Sequence, residues 1–311
     1  MPRHVRAALS LAALVLTGAA LAQPGPDPSK LPLPGAERVV VRGHGLAYRC
    51  LGAGTTTVVL VSGQGVPAVS WVQPVPPELQ AEVMLRPPFG TRESVAPALA
   101  RGVRVCVYDR ADDLPDASPR LPRESVEDLH ALLATLSPDA RVVLVGHSLG
   151  GLIAYDHARA HPERVAGLVL VDATHPDAGN RPGWLLPTPS AEQYARAVAR
   201  HPKHLDTRAD TTRGANAVPA GTLGNLPLVV LTRTRGLESE DARAFGVNAG
   251  PATLARWRRD LWTMAAEYAS ASSVGRLVTA SESGHFVVFD QPDLVVAAVR
   301  EVLEAVRSSR R

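Results

Sequence analysis

The sequence predicts an α/β fold: a mostly parallel, eight-stranded sheet with helices on both faces. Three observations predict it. Short apolar runs alternate with helical patterns along most of the chain, the signature of parallel crossovers. The runs Val58-Val59-Leu60-Val61, Val142-Val143-Leu144-Val145 and Leu168-Val169-Leu170-Val171 are continuously apolar, as expected of strands buried on both faces. An apolar fraction of 45% in 311 residues is ample for one large core.

In chain order, residues 1 to 22 carry Arg3 and Arg6, an apolar stretch from Ala7 to Ala19, and Ala20-Leu21-Ala22 before Gln23. This reads as a secretory signal peptide with an A-x-A cleavage site, with a retained anchor as the alternative; the apolar run is short for a bilayer span. Its removal takes away two arginines and leaves a net charge near +1, which implies no strong electrostatic partner. Without a basic, aromatic-interleaved stretch, nucleic acid is not expected. The Pro-rich residues 23 to 36 read as a linker, with the domain over 37 to 307. Strands are expected at Val39 to Arg42, Leu46 to Cys50, Thr57 to Ser62, Val103 to Tyr108, Val142 to Gly146, Val165 to Val171, Leu228 to Thr232 and Arg276 to Ala280. The first two are more mixed and belong at an edge. Val126, Leu129, Leu132, Leu133 and Leu136 recur at helical spacing, with Ser125 and Asp128 suggesting a capping box. Asp293 to Val306 is a second amphipathic helix candidate.

The most informative segment is Gly146-His147-Ser148-Leu149-Gly150. It follows an apolar strand and precedes Gly151 to Ala158, a helical pattern. In a G-x-S-x-G elbow the serine sits at a strained apex, and the flanking glycines leave room where side chains would collide. A serine hydroxyl is a weak nucleophile until a neighbour takes its proton. Among ten histidines, His285 in Ser281-Glu282-Ser283-Gly284-His285 follows the last strand. His147 diverges from its neighbour at such a turn and reads as polar support. His44, His130, His157 and His161 read as ordinary surface or packing histidines. His201, His204 and Asp206 lack the cysteine ligands or H-E-x-x-H pattern of a metal site, so neither metal nor cofactor is expected.

Four segments together resemble the α/β-hydrolase superfamily, of serine-esterase type, over roughly residues 37 to 307: Leu60-Val61-Ser62-Gly63-Gln64-Gly65, Val107-Tyr108-Asp109-Arg110-Ala111, Gly146 to Gly151, and Ser283-Gly284-His285-Phe286. The resemblance implies the chain order Ser, acid, His, with Ser148 as nucleophile and His285 as base. Most members carry the acid after the seventh strand, where this chain has Arg235 and Gly236. Glu238, Glu240 and Asp241 follow slightly late. Some members carry it at the end of the sixth strand, where Asp172 stands. Asp172 is the preferred acid and Glu238 the alternative. The implied oxyanion hole uses the backbone N–H groups of Leu149 and Gln64, with Gly65 as fallback.

The resemblance further implies a cap after the sixth strand, about 174 to 225, in which Trp184, Leu185 and Tyr194 could wall a substrate pocket. The chain departs from the family at Ala111 to Pro115, where a G-x-S turn is usual, and at the Pro-rich stretch 74 to 89. The family's strand order sets the second strand beside the fourth, so Cys50 and Cys106 are expected to form a disulfide under the oxidising conditions of export. These readings converge on a secreted or periplasmic serine hydrolase of a small-molecule carboxylic ester, without a stable membrane span after processing. An aminopeptidase or amidase, a cofactor-free perhydrolase, and a non-catalytic binding protein of the same fold are the alternatives.

Overall fold

A computed structural model of the chain describes residues 32–74, 92–111, 121–181, 213–214, 216–235 and 250–309. Among the described residues eight strands form one sheet: β1 (Glu37–Val41), β2 (His44–Leu51), β3 (Thr57–Val61), β4 (Arg104–Tyr108), β5 (Val142–His147), β6 (Val165–Val171), β7 (Leu228–Arg233) and β8 (Arg276–Ala280). Their order across the sheet is β1-β2-β4-β3-β5-β6-β7-β8. The first two pairings are antiparallel and the remaining five parallel. The mixed strands β1 and β2 do lie at one edge. They form a hairpin whose turn residues Arg42 and Gly43 both take positive φ, 47° and 88°, the twist that suits a two-residue connection.

Side chains of the central strands alternate between two faces, and each face is covered by helices. Val59, Val61, Val142 and Leu144 pack on the face carrying α2 (Pro122–Leu136), α3 (Leu149–Ala160) and α4 (Pro251–Ser270). Val58, Leu60, Val143 and Val145 pack on the face carrying α1 (Val95–Ala100) and α6 (Pro292–Ser308). Both sets are essentially inaccessible to water, which is why these strands read as unbroken apolar runs.

Two expectations are corrected. Helix α2 begins three residues before Ser125. Pro122 takes its first position and the Glu124 side chain accepts the Leu121 N–H at 2.8 Å, so the capping interaction sits at Leu121 and Glu124. Ser125 and Asp128 are instead buried within the helix, where Asp128 accepts a hydrogen bond from Arg42 at 3.2 Å. The packed chain also begins earlier than composition suggested. Leu33, assigned to the linker, is buried in the α6-side core.

Cys50 and Cys106 stand directly opposite each other on antiparallel β2 and β4, with Cα atoms 4.1 Å apart, and form a disulfide. It closes a loop of 56 residues, which the chain-entropy relation converts to about 4 kcal/mol of stabilisation. Cys106→Ser is therefore expected to lower the urea midpoint markedly. Alkylation of the unreduced protein should block no thiol; two blocked thiols would contradict the bond.

Candidate active site

Strand β5 runs directly into α3 through Ser148, which takes φ 53° and ψ −123°. A non-glycine residue holds such a conformation only when its surroundings impose it. The Ser148 N–H donates to Val171 O at 3.0 Å, and the Ser148 carbonyl accepts from Gly151 N at 2.9 Å and Thr174 N at 2.9 Å. The elbow is thus tied to the end of β6. The two motif glycines are sterically required: a Cβ on Gly146 would lie 2.3 Å from Gly150 O, and one on Gly150 would lie 2.2 Å from Val61 O.

His285 comes from the loop between β8 and α5 (Val287–Asp290). That loop is held by the Asp290 carboxylate, which accepts the Gly284 N–H at 2.8 Å, and by Gln291, which accepts the Glu282 N–H at 3.1 Å. His285 Nε2 lies 2.9 Å from Ser148 Oγ, and its Nδ1 lies 2.5 Å from Asp172 Oδ2. Asp172 directly follows β6 with φ 42°, a conformation aspartate tolerates better than most residues, and its N–H donates to Leu231 O at 2.8 Å. Ser148, His285 and Asp172 therefore stand in one hydrogen-bonded row.

Sequence reasoning did not reach Arg233. It ends β7, the strand beside β6, and its Nε lies 3.4 Å from Asp172 Oδ2. The guanidinium also covers the Trp257 ring, 4.8 Å from its centroid. Burial works to raise the Asp172 pKa, but the Arg233 charge and the hydrogen bond and charge of His285 together hold it below the usual carboxylate range. Asp172 is thus an anion aimed at the imidazole. The end of β7 thus sets a cation beside Asp172.

On the other side of Ser148, residues Gly63 to Val66 form a turn closed by Val66 N–H to Gly63 O at 3.3 Å, with Gly65 at φ 65°. A Cβ on Gly63 would lie 3.1 Å from Ser148 Cβ, so this turn packs against the elbow and brings Gln64 next to it. The turn is held from beneath. The buried Arg110 guanidinium donates to the carbonyls of Ser62 and Gly63, and the Trp71 indole donates to Ser62 Oγ at 2.9 Å. Asp109 accepts the Ala68 N–H at 2.9 Å. These contacts give the Asp109-Arg110 pair a job: it fixes the loop facing Ser148. Leu149 is the first residue of α3, so its N–H has no acceptor within the helix and sits at the positive end of the helix dipole.

His147 takes the supporting place expected of it. Its ring is buried and its Nε2–H donates to the His285 carbonyl at 2.9 Å, steadying the loop that carries His285. Burial, with the nearby His285 ring, pushes its pKa down to about 3. His175 is similarly pushed to about 3 by burial and the Arg181 charge, and its Nδ1 accepts the Asp177 N–H at 3.1 Å, a bond that protonation would destroy. Both groups bind a proton near pH 6.5 when unfolded and near pH 3 when folded. The unfolded state therefore binds more protons between those values, and stability falls as pH is lowered through that window. At pH 5.5 the His147 shift should cost about 1.4 kcal/mol, with a smaller share from His175, whose Nε2 lies 3.1 Å from Glu267 Oε2 and would gain that carboxylate on protonation; this pH is well above the range where carboxylates titrate. Urea midpoints recorded from pH 7.5 to 5 will check this; a flat profile would contradict it.

The alternative acids Glu238, Glu240 and Asp241, the pocket residues Trp184, Leu185 and Tyr194, the His201/His204 pair and residues 1–31 lie outside the described residues.

The profile of the alpha/beta hydrolase family matches residues 58–298. The chain belongs to this family. Norfluorocurarine synthase 1 of Strychnos nux-vomica is 33% identical over 131 residues, covering 41% of this chain and 42% of that protein. The pimeloyl-[acyl-carrier protein] methyl ester esterase of Chromobacterium violaceum is 42% identical over 113 residues, covering 36% and 41% respectively. These alignments span only about two fifths of either relative's length. A solved hydrolase from Pseudomonas aeruginosa shares the fold with a TM-score of 0.57 at 18% identity, over 88% of this chain and 99% of that one. The chain is thus an alpha/beta hydrolase with esterase and lipase relatives.

Proposed function

We propose that the protein is an exported serine hydrolase that cleaves a carboxylic ester through an acyl-enzyme on Ser148. The observation that carries this reading is the row Ser148 Oγ, His285 Nε2, His285 Nδ1, Asp172 Oδ2, with spacings of 2.9 and 2.5 Å at the two ends of one imidazole. In the proposed cycle His285 Nε2 takes the Ser148 proton as Oγ attacks the ester carbonyl carbon. The resulting oxyanion accepts hydrogen bonds from the N–H groups of Leu149 and Gln64, each worth about 3 kcal/mol of transition-state stabilisation. Collapse breaks the ester C–O bond, and His285 returns its proton to the departing alcohol. Water then attacks the acyl group, again giving a proton to His285, and the acid leaves as Ser148 regains its hydrogen. Asp172 keeps Nδ1 protonated and stabilises the imidazolium in both halves.

The ester class is supported by the methyl ester esterase and lipase relatives. Export is supported by the charged and apolar N-terminal segment and by the disulfide, since cytosolic thiols stay reduced. Among the described residues no helix is long and apolar enough to cross a membrane. A panel of p-nitrophenyl esters of rising acyl length, run beside aminoacyl amides, tests the reaction class. Ester turnover with little amide turnover is expected, and amide preference would overturn the ester assignment.

A further inference from the structure

At the end of α3 remote from Ser148, three histidines converge. His157 and His161 are four residues apart across the last turn of α3, and His130 projects from neighbouring α2. One nitrogen from each ring lies within 4.8 Å of the other two. The His130 and His161 rings stack with centroids 3.7 Å apart, and the His157 centroid is 5.6 and 5.0 Å from them. His157 is fully buried. His130 Nδ1, both nitrogens of His157 and His161 Nε2 are buried without a hydrogen-bond partner among the described residues.

Packing alone does not account for this. Each orphaned polar atom costs free energy that leucine or alanine would avoid, and buried polar groups without partners are uncommon in folded proteins. An imidazole nitrogen can donate its lone pair to a metal, which would give these orphaned atoms a partner.

We propose that His130, His157 and His161 form a binding site for a zinc-type divalent cation that clips α2 to the end of α3. Three imidazoles suit zinc, copper(II) or nickel(II), whereas calcium and magnesium require oxygen ligands. Glu163 Oε1 lies 3.8 Å from His161 Nδ1, placing a carboxylate behind a ligand ring as second-layer partners of metal-bound histidines do. Glu127 and Glu163 add negative charge near His130, while Arg164 opposes them; its guanidinium is engaged by the carbonyls of Leu133, Ser137 and Pro138. Tetrahedral zinc sets its nitrogen ligands about 3.3 Å apart, so the rings must draw together by roughly 1.5 Å at most, a shift that χ rotation of the half-buried His130 and His161 can supply. Ser148 immediately precedes the first residue of α3, so His157 lies about 14 Å along the helix from it, and the site is structural in role.

The test is titration of the tag-free, chelator-treated protein with zinc chloride at pH 7.5, read by competition with a chromophoric chelator and by thermal unfolding. One equivalent should bind and raise Tm by several degrees. His130→Gln and His161→Gln should each weaken binding at least 100-fold and abolish the Tm rise while leaving the circular dichroism spectrum unchanged. Because His157→Ala empties a core position and threatens folding, a cobalt(II) absorption spectrum of the unmodified protein provides an independent reading of nitrogen ligation. No zinc bound, or zinc bound equally well by both variants, would overturn the proposal.

Discussion

Ser148→Ala should lower kcat for any turned-over ester by at least about 10⁴-fold while leaving the fold intact. If Ser148 is the nucleophile proposed, its removal forces any residual hydrolysis to rely on the proposed oxyanion donors and substrate positioning alone. The fold should survive because the substitution keeps the Cβ and deletes only an oxygen whose partner is His285. Stability should shift by less than about 0.5 kcal/mol, since alanine is as strained as serine at φ 53°. Ser148→Gly should be equally inactive but more stable than Ser148→Ala by about 1 kcal/mol, because glycine adopts positive φ without steric cost. Chemical denaturation of the two variants separates these effects. Equal stabilities would mean that the elbow is less constrained than its dihedral angles indicate.

Asp172→Asn should lower kcat by up to about 10⁴-fold with little change in KM. The amide can present a hydrogen to His285 Nδ1 and so favour the tautomer with its lone pair in the wrong place. It also leaves the imidazolium without a counter-charge. A second consequence distinguishes this residue from a bystander: Arg233, only partly exposed, loses the carboxylate it faces at 3.4 Å, so Tm should fall as well. Glu238→Gln should leave both quantities near those of the unmodified protein. The opposite pattern would transfer the role to Glu238.

The elbow was legible because its signal is local: an apolar run, a G-x-S-x-G turn and a helical pattern occur in sequence, and each requires the next. His285 was legible from its place after the last strand. For the acid the sequence could only prefer Asp172 over Glu238, which stand in two loops; the alignment of adjacent β6 and β7, with Val171 opposite Leu231, is what brings Asp172 and Arg233 together. The same holds for Arg110. Its importance lies in the carbonyls of Ser62 and Gly63, 48 and 47 residues away, and no periodicity records such a contact. The start of α2 was misread because Ser125 and Asp128 mimic a capping pair; the nearby Pro122 and Glu124 carried the competing signal. The histidine cluster illustrates a further limit. The His157 and His161 spacing is visible in a helix, but His130 joins them only through the packing of α2 on α3.

The most direct test of the central claim is fluorophosphonate labelling of the purified protein, followed by peptide mapping of the adduct by mass spectrometry. A single adduct on the peptide containing Ser148, absent from Ser148→Ala and slowed strongly in Asp172→Asn, is the predicted result. An adduct on another residue, or undiminished labelling of Ser148→Ala, would contradict it.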